Sequence, residues 1–171
     1  MSLARDLGYE FRPPNAAQRA VQVVVASRPG AWVFARTLPP IDTWVGRVSR
    51  GRTSVPEAGA GLPVLDVTTT GRRSEQRRTT HLVAVPCAGT LALIGSDFGQ
   101  AATPAWALNL EADPRATVTY RGRAVEVVAR PATDDEVEQV MAAAASLYRG
   151  YAAHRRRIGE RRLRVFLLEP A

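Results

Sequence analysis

Beyond residue 63, apolar and polar residues alternate with a period of two along several short stretches of the chain. This period is typical of extended strands, because successive side chains of a strand point to opposite faces of a sheet. Arg121-Gly122 supplies a hairpin turn between two of these stretches. The pattern predicts the strands Val64–Thr69, Thr80–Val85, Thr90–Ile94, Ala116–Tyr120, Ala124–Ala129 and Leu163–Leu168.

Two helices are predicted between these strands. The first begins at Thr103-Pro104, where Thr is a good cap and Pro suits the first turn, and it ends near Asp113-Pro114. The second begins with the capping box Thr133–Glu136 and continues through an alanine-rich run to Tyr148. Short strands with interposed helices predict an α+β fold built on a closed or half-closed barrel.

The N-terminal part has a different pattern. Residues 1–14 mix charges with Gly8 and the pair Pro13-Pro14, so we expect an irregular lead-in. Asn15 can cap a helix that runs to about Ser27.

The next segment, Gly30–Arg50, places Trp on one side and Arg on the other of two short amphipathic helices, which Pro39-Pro40 interrupts. Two interpretations stay open: the helices cover one face of the core, or they lie on a membrane surface. Gly51–Pro63 is a linker rich in Gly, Ala and Pro. The predicted division is therefore 1–52, a lead-in with amphipathic helices, and 53–171, the barrel domain.

The charge of the chain points to an anionic partner. All 23 basic residues are arginine, against 16 acids, which gives a net charge of +7 on a chain of single-domain length. Between the first two predicted strands, a turn carries the arginines Arg72, Arg73, Arg77 and Arg78, together with Gly71 and Ser74. Guanidinium groups bind phosphate or carboxylate bidentately, so the turn is a candidate anion site, with a solvated basic turn as the alternative.

Several catalytic classes are excluded by their missing motifs. His81 and His154 are the only histidines and lack metal-ligand spacing, so no metal site is predicted, and His81 is expected to be a core residue bonded to a backbone carbonyl. Ser96, in GSDFG, is not in a nucleophile elbow, and that loop is too poor in glycine for a Rossmann or P-loop motif. A chain with an anion site and few reactive side chains is typical of proteins in which a bound cofactor supplies the reactivity.

The single cysteine, Cys87, excludes an intrachain disulfide and favours the reducing cytoplasm, and it is interpreted as structural. No apolar run approaches the roughly 20 residues that a membrane span needs. We expect a cytoplasmic protein, and peripheral contact at the inner face of the membrane stays open because of the amphipathic segment.

Several separate motifs carry a resemblance to a known family. TTTGRRSEQRRTTHL, the Ser of IGSDFG, TPAWALNLEADPRATV and the late pair Tyr148-Arg-Gly-Tyr151 resemble the deazaflavin (F420)-dependent nitroreductases, also called F420H2-dependent quinone reductases, over about residues 30–170. The resemblance implies a split β-barrel of the flavin-reductase type that binds reduced coenzyme F420. The tail of this cofactor carries a phosphodiester and glutamates, and the expected activity is hydride transfer to a quinone-like or nitroaromatic acceptor.

The family motifs also imply site residues. Arg73 and Arg78 would hold the tail phosphate, the loop of Ser96 would lie against the deazaflavin ring, and a helix would line the groove with Pro104, Ala105 and Trp106. Tyr151, with Tyr148 as the alternative, would act at the acceptor. The chain departs from the family pattern at Glu75, Arg77, His81 and Asp97.

Alternatives remain. FMN is a weaker candidate cofactor, and a non-catalytic split barrel that binds FMN, haem or a lipid-like ligand is favoured by Asp97, an acid beside the expected phosphate. The other alternative is a basic binding module for nucleic acid, favoured by the net charge of +7 and the Arg155–Arg164 cluster. Against it, no aromatic residue interleaves the arginine turn, so nucleic acid is not an expected partner. The expected partners are an anionic deazaflavin and a small hydrophobic acceptor. The physiological acceptor and the oligomeric state stay open.

Overall fold

The computed structural model describes residues 2–10, 15, 16, 18, 21, 61–95, 102–147 and 163–171. In chain order its elements are α1 Leu3–Leu7, β1 Leu65–Thr70, β2 Arg77–Leu82, β3 Ala84–Cys87, β4 Thr90–Ile94, α2 Ala105–Ala112, β5 Arg115–Tyr120, β6 Arg123–Pro131, α3 Asp134–Leu147 and β7 Val165–Pro170. Within these ranges, no helix is long and apolar enough to cross a membrane.

The described strands form one antiparallel sheet in the order β2-β1-β5-β6-β7-β4-β3. Strands β2 and β3 lie at opposite edges of this sheet, yet only Val83 separates them in the chain. Consecutive Cα atoms are about 3.8 Å apart, so the two edges must approach each other where β2 ends and β3 begins. The sheet therefore curls into a half-barrel, which confirms the predicted barrel.

The predicted strand Thr80–Val85 is wrong as a single strand. The alternation continues through the segment, because Leu82 and Ala84 both face the barrel interior and Val83 packs on the other side. Only the hydrogen-bonding partner changes, from β1 to β4. Alternation indicates which face a side chain occupies and carries no information about the partner strand, so the break was not visible in the sequence.

The other predicted strands are confirmed, with ends that differ by one or two residues. The hairpin turn between β5 and β6 is also confirmed: Arg121 and Gly122 both have positive φ, 48° and 84°. This combination matches the right-handed twist of the flanking strands.

Two apolar clusters hold the fold together. One fills the barrel interior and includes residues of α1, α2 and most strands, with Leu65, Val67, Leu93, Val118 and Phe166 at its centre. The other lies on the outside of β3, β4 and β7, where α3 covers the sheet with Val140, Met141 and Ala144. Cys87 packs at the border of this second cluster, at the end of β3 as predicted.

The expected irregular lead-in at residues 1–14 is wrong for the described part. Leu3 and Leu7 form one face of α1 and are each 1% exposed inside the barrel. Their i, i+4 spacing is the signal of a helix face, which the charges and Gly8 obscured. Gly8 itself ends α1 in the left-handed conformation, at φ 67°.

Tyr9 ties this N-terminal segment to the barrel. Its hydroxyl accepts a hydrogen bond from the N–H of Ala84, at 3.0 Å. The same oxygen lies 2.9 Å from the carbonyl oxygen of Pro63 and 2.8 Å from that of Ala84, either of which can accept its proton. Because Tyr9 is only 3% exposed, these bonds satisfy polar groups that water does not reach.

The predicted cap at Asn15 is confirmed. The Asn15 side chain accepts a hydrogen bond from the N–H of Gln18 at 2.8 Å, and the Gln18 side chain accepts one from the N–H of Asn15 at 3.0 Å. The described positions 16, 18 and 21 are helical. The predicted helices of Gly30–Arg50 and the division at residues 52 and 53 lie outside the described residues.

The predicted capping box of α3 is confirmed and is reinforced by an arginine. The Glu136 carboxylate accepts the N–H of Thr133 at 2.8 Å, and the Thr133 hydroxyl accepts the N–H of Glu136 at 3.3 Å. Arg130 binds the two oxygens of Glu136 at 2.9 and 2.8 Å and also binds Glu169 at 3.0 Å. Hydrogen bonding to Arg130 is the main reason why the pKa of Glu136 is lowered from 4.5 to about 2.

We predict that Glu136→Gln flattens the acid limb of the stability profile. A carboxyl whose folded pKa lies below its unfolded value stabilises the fold above the unfolded value, and that contribution is lost between about pH 4.5 and 2. Gln keeps an acceptor for the Thr133 N–H and removes the titration. The measurement is the melting temperature against pH, with Asp135→Asn, a charge removal in the same helical turn, as the control. Parallel profiles for Glu136→Gln and the parental protein would contradict the prediction.

Candidate functional site

The arginine turn is a compact loop between β1 and β2. Gly71 donates its N–H to the carbonyl of Gln76 at 2.8 Å, and Glu75 donates its N–H to the carbonyl of Gly71 at 2.7 Å. Gly71 is buried, and a Cβ on it would lie 2.7 Å from the hydroxyl oxygen of Ser74 and 3.2 Å from the carbonyl oxygen of Gln76. The close approach of the two strand ends therefore favours glycine at position 71.

A buried amide on α2 holds this turn. Asn109 accepts the backbone N–H of Arg72 on Oδ1 at 3.1 Å and donates from Nδ2 to the hydroxyl of Thr69 at 3.0 Å. Asn109 is 7% exposed and Thr69 is 1% exposed, and apart from tyrosine and tryptophan they are the two buried polar side chains of the described ranges. Each satisfies the other, as buried polar groups must.

The four arginines do not all lie in the turn, which corrects the prediction. Arg77 and Arg78 are the first two residues of β2, opposite Thr70 and Thr69 of β1. Successive strand residues point to opposite faces, so these two guanidinium groups leave the strand on different sides.

Arg77 belongs to the outer face of the sheet. Its guanidinium donates to the hydroxyl of Thr117, and that hydroxyl donates to Glu126 at 2.8 Å. Arg78 lies on the other face, and its Cγ is 3.6 Å from where a Cβ of Gly71 would stand. Strand alternation therefore places Arg77 and Arg78 on opposite faces of the sheet.

The side chains of Arg72, Arg73 and Arg78 are exposed. Their guanidinium groups have no hydrogen bond or ion pair within the ranges that the structure describes. Three exposed guanidinium groups on a backbone held by hydrogen bonds form a place where an anion can bind without first breaking an internal ion pair.

Helix α2 begins one residue later than predicted and without the predicted cap. Its N-cap is Pro104, which has no capping side-chain bond, and the Pro104 carbonyl accepts the N–H groups of Ala107 and Leu108 at 3.1 and 3.3 Å. Proline has no side-chain acceptor, so as the N-cap residue it cannot cap the N–H groups of the first turn.

Of the helix residues assigned to the groove, Pro104 is half-buried and Ala105 is exposed. Trp106 is 6% exposed and packs edge to face on Phe166, with ring centroids 6.1 Å apart. Trp106 is therefore mainly a core residue. The contact of these residues with a cofactor stays a prediction.

The segment that leads to Ser96 runs against α2. Gly95 donates its N–H to the carbonyl of Arg164 at 2.8 Å, and a Cβ on Gly95 would lie 3.2 Å from that oxygen and 3.7 Å from the Cβ of Ala107. Helix α2 thus contacts Gly95 at Ala107 and the arginine turn at Asn109. The predicted site residues Ser96, Tyr148 and Tyr151, and also Asp97, lie outside the described residues.

The expectation that His81 is a core residue bonded to a carbonyl is wrong. Its side chain is on the outer face, where Nδ1 lies 2.6 Å from Oδ1 of Asp66, the residue directly opposite on β1. The sequence interpretation overlooked Asp66 because the register between the two strands was unknown.

Sequence reasoning also missed Asn109. The signal was present, because an amide between the apolar residues of the motif ALNLEA is typical of a buried polar contact.

Comparison with known proteins identifies the class. The curled antiparallel half-barrel is a split β-barrel of the flavin-reductase type. A family model described as F420H(2)-dependent quinone reductase matches residues 41–170. The chain belongs to this family, it is an F420H2-dependent reductase, and its cofactor is coenzyme F420.

Solved structures agree with this class. An F420-H2 dependent reductase is 29% identical, with 63% of this chain and 94% of that chain covered and a TM-score of 0.57. A protein described as a domain-swapped dimer is 25% identical, with 82% and 99% covered and a TM-score of 0.59. A protein of unknown function from Agrobacterium tumefaciens shares the fold, at 19% identity, coverage of 64% and 48%, and a TM-score of 0.50.

Proposed function

We propose that this protein transfers a hydride from reduced F420 to a small hydrophobic acceptor, either quinone-like or nitroaromatic. The observation that carries the proposal is the arginine turn together with the start of β2, where Arg72, Arg73 and Arg78 have no internal partner in the described ranges. A phosphodiester and carboxylates are the anions that such groups bind, so this donor set fits the tail of F420.

In this proposal the protein binds and orients. Arg73 and Arg78 hold the tail from two sides of the turn, and the ring lies toward the Ser96 loop and the start of α2, at Pro104, Ala105 and Trp106. F420 supplies the hydride when bound. The chain supplies the geometry, because holding donor and acceptor at near-attack distance removes most of the entropic barrier.

The resemblance assigns the acceptor end to Tyr151, with Tyr148 as the alternative. Negative charge develops on an acceptor oxygen as the hydride arrives, and a phenol hydroxyl can donate a hydrogen bond or a proton to it. We assign Tyr151 this role on the strength of the family motif.

The direct test mixes purified protein with reduced F420 and either a quinone or a nitroaromatic and follows the absorbance of the oxidised cofactor. We expect turnover that requires the protein. A parallel titration with F420, FMN and haem, followed by fluorescence or absorbance, separates the enzyme from a carrier. Saturable binding of FMN or haem without F420 turnover would favour the non-catalytic split barrel.

A second prediction concerns the tail. Replacing Arg73 and Arg78 together by Ala should weaken F420 binding by roughly thirtyfold or more, since hydrogen bonds to charged groups contribute about 1.5 to 3 kcal/mol each and solvent screens part of that. Arg77→Ala is the matched control, because its guanidinium contacts Thr117 on the outer face. The measurement is a fluorescence titration. Equal losses of F420 affinity in Arg77→Ala and in the double variant would contradict the assignment of Arg73 and Arg78 to the cofactor tail.

A third prediction concerns the acceptor. Tyr151→Phe should lower quinone-reducing turnover by about tenfold to a thousandfold and leave F420 affinity almost unchanged, because the hydroxyl acts on charge that develops in the transition state. Steady-state kinetics and the same fluorescence titration measure the two effects. If Tyr151→Phe and Tyr148→Phe both retain parental turnover, the proton comes from another source.

A further inference from the structure

We infer that Asn109 is a positioning residue, which fixes the backbone positions of the two arginines proposed to hold the cofactor tail. This inference deepens the proposed function and rests on it. The amide is on α2, distant in sequence from the turn, and makes one hydrogen bond to the end of β1 and one to the first arginine of the turn.

The first bond acts on the beginning of the turn. Oδ1 of Asn109 accepts the N–H of Arg72 at 3.1 Å, so it fixes the Gly71–Arg72 peptide, one residue before Arg73. The bonds between Gly71 and Gln76 and between Glu75 and Gly71 close the loop on itself. By themselves those two bonds do not fix the loop relative to the rest of the site, and the Asn109 bond joins it to α2.

The second bond acts on β1, at the position directly opposite Arg78. Nδ2 of Asn109 donates to the hydroxyl of Thr69 at 3.0 Å, and Thr69 lies directly opposite Arg78 in the β1–β2 register. Opposite residues of an antiparallel pair share a face, so the Arg78 stem leaves the sheet on the side of this buried contact. The side-chain amide of Asn109 is therefore hydrogen-bonded both to the backbone one residue before Arg73 and to Thr69, the cross-strand neighbour of Arg78.

The amide also joins the two ends of the proposed groove. Asn109 and Ala107 are two residues apart on α2, and Ala107 lies against Gly95, which leads to the Ser96 loop. The helix thus holds the turn for the tail and the segment for the ring at a fixed separation. A ligand that uses both ends requires this separation to be set before binding.

Two variant pairs test the inference on the full-length protein. Asn109→Leu has a similar size and removes both bonds, and Val140→Ala, in the cluster beneath α3, is a control that lowers stability away from the turn. Thr69→Val removes only the hydroxyl, and Thr69→Ser restores it, so this pair keeps the test decisive if Asn109→Leu does not fold.

The first readout is hydrogen–deuterium exchange of the amides at 71–76 without ligand. We expect faster exchange in Asn109→Leu and in Thr69→Val, and parental exchange in Thr69→Ser and Val140→Ala. Unchanged exchange at these amides in both Asn109→Leu and Thr69→Val would overturn the inference.

The second readout compares the affinity for F420 with that for a deazaflavin without the tail, well below the melting temperature. Asn109→Leu should weaken F420 binding by about tenfold or more and leave the tail-less compound within about twofold. Thr69→Val should have a smaller effect in the same direction, and Thr69→Ser should bind like the parental protein. Equal losses for both compounds would overturn the inference, because they would indicate a general structural effect.

The parental protein separates the two hypotheses. If it binds F420 no better than the tail-less deazaflavin, the tail clamp of the proposed function fails, and the role of Asn109 in cofactor binding fails with it. If the parental protein prefers F420 and Asn109→Leu keeps that preference, only the inference about Asn109 is overturned.

Discussion

Strands β2 and β3 lie at opposite edges of the sheet, and the single residue Val83 joins them. This connection is the constraint on which the rest of the structure depends. A flat sheet would separate its two edge strands by six inter-strand spacings of about 4.8 Å, a distance that one residue cannot span. The sheet must therefore curl, and its inner face becomes a closed apolar space that has to be filled.

The N-terminal segment helps to fill that space and contacts the corner itself. Leu3 and Leu7 occupy the interior, and Tyr9 accepts the N–H of Ala84, the first residue after Val83. At a corner where the chain changes partner strands, backbone groups are at risk of being left unpaired, and a buried unpaired group costs about 1 to 3 kcal/mol. Tyr9 supplies a partner there, so residues near the start of the chain are part of the barrel core.

How much of the fold could be predicted depends on what each sequence pattern reports. Period-two alternation reports faces, so it located the strands and the barrel but missed the change of partner at Val83. Helix caps are local in sequence, so the cap at Asn15 and the capping box at Thr133 were predicted correctly. Contacts that depend on register or on distant elements were not accessible, and the pairing of His81 with Asp66 is an example.

The candidate site, like the fold, could be predicted only in part. The arginine cluster is a local feature and was found, but the interpretation of the cluster as one turn was wrong, because β2 begins at Arg77. Once a strand begins inside the cluster, the pleat assigns its arginines to different faces. The Arg77 guanidinium then donates a hydrogen bond to Thr117 on the outer face, and Arg78 lies on the face of the sheet that Asn109 contacts.

The positions of the arginines matter because net charge alone does not make the protein selective for one anion. A net charge of +7 attracts any anion, and attraction alone does not select one. Selection requires donors at fixed positions, which here come from a turn closed by Gly71, held by Asn109 and carrying guanidinium groups without internal partners in the described ranges. In the proposed function, net charge attracts an anionic cofactor to this surface, and the two hydrogen bonds of one buried amide fix the backbone beside the arginines that would bind its tail.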